Sequence, residues 1–171
     1  MTPTTRSFAG FVLIAGIAVL GTALASQYWG GLAPCELCLY QRWPWYGAIA
    51  IALVALLLDP RGALPWLAAG LAAVFAGGAV LAFYHFGVEQ HWFAGPAACT
   101  AGAAPQTIEE LRRQILGQMP VLCDRVQWSL FGVSLAGWNL LASLAMAGYC
   151  LRAWRRPGGE ARSAPVGRGA A

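Results

Sequence analysis

Cys35 and Cys38 stand three residues apart in the run Cys35-Glu36-Leu37-Cys38-Leu39-Tyr40-Gln41-Arg42, a spacing at which two thiols form one small, easily exchanged disulfide. Closing so short a loop removes little chain entropy, so a bond there is a poor staple and a useful redox couple. Cys99 and Cys123 supply a second pair, and Cys150 lies within the last apolar run, where it reads as a small packing residue. In an oxidising compartment four thiols can pair in three ways, and the short spacing favours Cys35 with Cys38 and Cys99 with Cys123. For Cys99 with Cys123 a loop-stapling role stands level with a redox role. Haem attachment is excluded because Leu39, not His, follows Cys38. A four-cysteine zinc site fits poorly, since the second pair lacks the close spacing of a zinc knuckle, and no metal is expected. Exchange requires a thiolate, which nearby positive charge favours, and Arg42 lies four residues after Cys38. On a helix begun near Cys35 the two share a face, although an arginine there also has an ordinary role in snorkelling to headgroups.

The elements that must hold these residues are helices in a bilayer. The chain is 58% hydrophobic and 11% charged, far from the ~25% charged residues of soluble domains. No charged residue occurs over 7–35, 43–58, 62–84 or 126–151, and a spanning helix needs roughly 20 mainly apolar residues. Lipid satisfies no open backbone group, and the alternation of a barrel strand is missing, so the fold class is an all-α bundle of four transmembrane helices. The spans fall near 8–26, 43–58, 63–86 and 129–152, within a membrane domain of residues 1–156. Arg6, the apolar run and Ala23-Leu24-Ala25 imitate a signal peptide, but the run over 8–25 exceeds a signal core of about 7–15 residues, so a retained first span is expected.

Orientation follows from arginine, because the chain has no lysine. Arg6, Arg61, Arg152, Arg155, Arg156, Arg162 and Arg168 fall on one side, against Arg42, Arg112, Arg113 and Arg125 on the other. Both termini are therefore expected in the cytoplasm and the cysteine loops, near 27–42 and 87–127, in the periplasm of a bacterium. The net charge of +4 belongs to this topology and not to nucleic-acid binding. In the longer loop Thr107 and Glu110 can form a capping box, and Ile108, Leu111 and Ile115 fall on one face of a short amphipathic helix. That helix either lies on the membrane surface or packs on the bundle. Residues 157–171, rich in Gly, Arg, Pro and Ala, read as a disordered tail.

Taken together, the run over 35–42, the Tyr84-His85 pair ending the third span, Cys99, the Cys123-Asp124 pair and the Phe131-Gly132 to Gly137-Trp138-Asn139 stretch resemble the bacterial DsbB family. The resemblance covers most of the chain and implies a membrane oxidase of the inner membrane that recharges the periplasmic, thioredoxin-fold dithiol oxidase DsbA. It implies that reduced DsbA attacks Cys99, that Cys123 then exchanges with Cys35, and that Cys38 faces a quinone polarised by Arg42. DsbA is itself a strong oxidant, so ordinary dithiols cannot recharge it. No Gly-x-Gly-x-x-Gly fingerprint or cluster ligands occur, which leaves a lipid-soluble acceptor, ubiquinone or menaquinone. His85 is a candidate proton or quinone partner, with a plain interfacial histidine as the alternative. Gln41 stands where some members of that family carry Glu, Glu89 and His91 are added near His85, and the loop over 99–123 is Ala-rich. Vitamin K epoxide reductases place their Cys-x-x-Cys last, whereas here it comes first. A scaffold or carrier with stapled loops is the reading from another class, although no span pairs buried charges or shows an internal repeat.

Overall fold

A chain that is nearly charge-free over long runs must satisfy its backbone internally, and it does so as helices. The computed structural model describes residues 5–58, 62–96, 99, 107–116 and 121–155. In order these form α1 (Thr5–Tyr28), α2 (Glu36–Tyr40), α3 (Trp43–Leu58), α4 (Leu64–Glu89), α5 (Ile108–Ile115), β1 (Ser129–Leu130), β2 (Val133–Ser134) and α6 (Leu135–Arg155). Among the described residues three stretches are long and apolar enough to cross a membrane: α1, the joined α2 and α3 over Glu36–Leu58, and α4. α6 has 21 residues and carries the polar Asn139 and Ser143, and it falls short of the same apolarity. The expected tail over 157–171 lies outside the described residues.

The side chains are distributed as a lipid-facing bundle requires. α1 packs on α3, α3 on α4, and α4 on α6. Small residues fill these seams, with Ala48, Ala52 and Ala55 buried on α3 and Ala68, Ala72, Ala79 and Ala82 on α4. Large apolar residues point outward instead, among them Ile14, Ile17, Leu53, Leu57 and Val80. In water such a surface would be a large exposed patch, whereas in lipid close backbone approach at small residues is what brings helices together. Gly16 marks one such approach: a Cβ there would lie 2.7 Å from Ile49 Cγ1. Trp45, in the first turn of α3, and Phe75 of α4 pack edge to face with ring centroids 5.1 Å apart.

Two features depart from the expected spans. The helix that begins after Cys35 is interrupted at Gln41 and Arg42, where the Arg42 N–H bonds three residues back to the Leu39 carbonyl at 3.1 Å. The run expected to enter a helix at 129 forms an antiparallel hairpin first, pairing Ser129 with Ser134 and Leu130 with Val133. The last helix therefore starts at Leu135, not near 129, and the hairpin is a small addition to a fold that is otherwise helical among the described residues. Its turn residues Phe131 and Gly132 have φ of 52° and 77°, as a two-residue hairpin turn requires. Hydropathy does not register that change, because the hairpin residues are as apolar as those of the helix. Ser134 then caps α6 by accepting the Gly137 N–H at 3.2 Å. Helix α5 occurs where the Thr107 signal places it, and the Leu111 N–H reaches the Thr107 carbonyl at 3.1 Å.

Candidate functional site

Cys35 is the N-cap of α2, so its Sγ accepts the Cys38 N–H at 3.2 Å and its position is fixed by the helix start. The two sulfurs lie 2.7 Å apart as free thiols in hydrogen-bond contact. That contact, and then burial, push the Cys35 thiol above its ordinary range, so Cys35 keeps its proton longest. Cys99 and Cys123 are joined by a disulfide with Cα atoms 5.2 Å apart, and the Cys123 N–H donates to the Cys99 carbonyl. A four-cysteine metal site would need those two sulfurs free. Across 24 residues of sequence the pair closes a loop, and both sulfurs face inward.

The two pairs meet. Cys35, Cys99 and Cys123 belong to one buried cluster with Leu37 and Val88, against which Cys38, Tyr84 and Val121 pack. His85, only 2% exposed, stands over it from α4. Its Nε2 lies 3.5 Å from Cys35 Sγ and 3.9 Å from Glu89 Oε1, and its Nδ1 lies 2.6 Å from Gln41 Nε2. The main chain of Cys123 adjoins the same ring. Cys35, Cys38 and His85 bring their ligand atoms within 4.8 Å of one another, a separation that a soft cation tolerates. Cys150, by contrast, is buried in the helix core away from this cluster, among Phe8, Leu71 and their neighbours.

A cavity of about 410 Å³ opens beside the cluster, between α1, α3, the end of α4 and α6. Its walls are mostly apolar, and Cys38, Arg42, His85 and Glu89 are among its polar lining groups. Arg42 Nη1 donates to Gln27 Oε1 at 2.8 Å, which ties the end of α1 to the start of α3 and holds the guanidinium at the cavity. Glu89 is held in turn by a short hydrogen bond from Ser134 Oγ. A flat apolar ring with two carbonyl acceptors suits a slot of this kind, where few polar groups converge on mostly apolar walls. The six candidate residues Cys35, Cys38, Cys99, Cys123, Arg42 and His85 are thus gathered at one end of the bundle. Gln27, Trp45 and Ser134 carried no sequence signal of their own. Asn139 did carry one, as a polar residue inside an apolar run.

The family described as Disulfide bond formation protein DsbB matches residues 5–153. A Disulfide bond formation protein B from Hahella chejuensis is 32% identical over 167 residues, covering 92% of this chain and 97% of its own. A Disulfide bond formation protein B 2 from Pseudomonas entomophila is 33% identical over 151 residues, covering 83% and 86%. A Disulfide bond formation protein B from Verminephrobacter eiseniae is 32% identical over 164 residues, covering 88% and 85%. No solved structure matches significantly.

Proposed function

This chain belongs to the DsbB family of disulfide bond formation proteins, and from that premise we propose that it reoxidises a periplasmic DsbA-type dithiol protein and passes the electrons through both cysteine pairs to a membrane quinone. The observation that carries this reading is the packing of Cys35, Cys99 and Cys123 into one buried cluster beside a cavity lined by Cys38 and Arg42. A partner thiolate attacks Cys99, a mixed disulfide forms, and Cys123 leaves as a thiolate. Cys123 attacks Cys35 of an oxidised Cys35–Cys38 pair, forming a Cys35–Cys123 bond and releasing Cys38. The partner's second thiol resolves the mixed disulfide and frees Cys99, which then attacks Cys123 and releases Cys35. The net result is an oxidised partner and a Cys35–Cys38 dithiol. A bound quinone supplies the acceptor for the two electrons and two protons that this dithiol must lose, and Cys38, Arg42 and His85 are the residues suited to hold it. Arg42 contributes a fixed positive charge and a planar pair of donors for a carbonyl oxygen.

The site requires a membrane frame. In that frame α1, α3, α4 and α6 are the four spans of a domain covering residues 1–156 in the inner membrane. The sequence count of seven arginines in the terminal and intervening segments, against four in the cysteine loops, supports cytoplasmic termini and periplasmic cysteine loops. Helix α5, with Ile108 and Leu111 exposed, rests on the outer membrane surface.

Thiol trapping separates this relay from a stapled scaffold. In membranes lacking quinone, adding a reduced DsbA-type protein is expected to open Cys99–Cys123 to alkylation, and adding quinone is expected to close it again. A scaffold would keep the same alkylation pattern throughout, and that result would sink the proposal.

A further inference from the structure

Four side chains from different parts of the fold form a hydrogen-bond chain with a fixed direction. An indole N–H can only donate, and Trp45 Nε1 donates to Asn139 Oδ1 at 2.8 Å. With its oxygen so engaged, Asn139 turns its amide nitrogen outward, and Nδ2 donates to Gln41 Oε1 at 2.7 Å. Gln41 therefore presents its own nitrogen to His85, 2.6 Å from Nδ1. A donor facing Nδ1 requires a lone pair there, which leaves the ring proton of a neutral imidazole on Nε2. We propose that Trp45, Asn139 and Gln41 are positioning residues that hold His85 as its Nε2–H tautomer and so keep a donor on the ring edge that faces the Cys35 sulfur, 3.5 Å away, with the Cys123 main chain and Glu89 as its other neighbours. The inference rests on the reading of Cys35 and Cys38 as a redox pair.

The step served is the release of Cys35. When the Cys99 thiolate attacks Cys123, the Cys99–Cys123 bond forms, the Cys35–Cys123 bond breaks, and the electron pair leaves on Cys35 Sγ. Two donors then meet the new charge, the Cys38 N–H at 3.2 Å and the His85 Nε2–H, and the ring keeps its proton. Preformed donors aimed at developing charge lower a barrier more than donors that must turn toward it, and a stabilised leaving thiolate departs faster. The other tautomer would set the Nε2 lone pair against that charge. The Nε2–H tautomer also disfavours a metal on Cys35, Cys38 and His85, because Nε2 would first have to lose its proton and the relay would have to reverse.

Asn139→Asp reverses the relay with almost no change in shape. The carboxylate accepts from Trp45 and also from Gln41, which must then turn Oε1 toward His85 and call for a proton on Nδ1. Nitrogen NMR of ¹⁵N-histidine in the full-length protein, assigned with His91→Gln, should report Nε2–H for His85 in the native chain and Nδ1–H in Asn139→Asp. The Cys35–Cys123 species should persist about 10- to 100-fold longer in the variant, as expected for loss of one hydrogen bond to a charged group, while its Cys99 still forms the partner adduct. Trp45→Phe is the second arm: it removes the anchoring donor, keeps a ring against Phe75, and should yield a mixture of tautomers. The tautomer is read without turnover, so it reports on the relay even in a chain that never oxidised a dithiol. A native Nδ1–H tautomer, or an unchanged lifetime of the Cys35–Cys123 species once the tautomer has reversed, would overturn the proposal.

Discussion

Cys123→Ser is expected to turn the chain into a trap that holds its partner through Cys99. In the native chain Cys99 and Cys123 are bonded to each other, so attack on Cys99 releases Cys123 into a buried cluster that also contains Cys35. In Cys123→Ser the Cys99 thiol has no internal partner, so it attacks the disulfide of an oxidised partner, one partner sulfur leaves as a thiolate, and no Cys123 thiol remains to release Cys99 from the adduct. Quinone-linked turnover should fall by several orders of magnitude, because no thiol remains to carry the exchange from Cys99 to Cys35. Non-reducing electrophoresis should show the chain and its partner migrating as one species. Cys99→Ser is the control: it loses the same disulfide, which by chain-entropy arithmetic for a loop of 24 residues contributes about 3.5 kcal/mol, yet it should form no adduct. An adduct with Cys99→Ser and none with Cys123→Ser would reverse the assigned entry point.

Arg42→Ala is expected to raise the apparent quinone KM by about 10- to 100-fold, the range set by losing a charged hydrogen bond of about 1.5–3 kcal/mol. The guanidinium lines the cavity with Cys38 and is held there by Gln27 at 2.8 Å. Lysine should recover only part of the loss, since it restores charge without the planar fork. Gln27→Ala should produce a smaller rise, because it frees the guanidinium without removing it. Partner exchange at Cys99 should proceed in all three variants. Native quinone kinetics in a membrane-inserted Arg42→Ala protein would reduce Arg42 to a headgroup anchor.

The candidate site was legible in the sequence because its residue types are rare and costly inside an apolar chain. Two cysteine pairs, with an arginine four residues after the first pair, stand out at the edges of the apolar runs, and α3 occupies the same residues, 43–58, that the charge-free run marks. The interruption at Gln41 and Arg42 did not show, because it changes backbone geometry without changing hydropathy. The hairpin over 129–134 was hidden for the same reason, since its strand pairing and the positive φ at Phe131 and Gly132 leave hydropathy unchanged. The Trp45, Asn139, Gln41 and His85 chain was hidden differently. Its members are separated by as many as 98 residues, and their amide orientations follow from contacts that exist only once α2, α3, α4 and α6 have packed. Gln27 is an extreme case, since nothing in its neighbourhood marks it as the residue that holds Arg42.

Electrons from a partner dithiol are expected to leave through Cys35 and Cys38 to a quinone. That route is tested most directly by mixing the purified chain with a reduced DsbA-type protein and ubiquinone in the absence of oxygen, while following partner thiols and quinol absorbance together. One quinol should form for each partner disulfide, and both signals should be lost together in Cys38→Ser. Partner oxidation without quinol, or quinol formation that survives Cys38→Ser, would contradict that route.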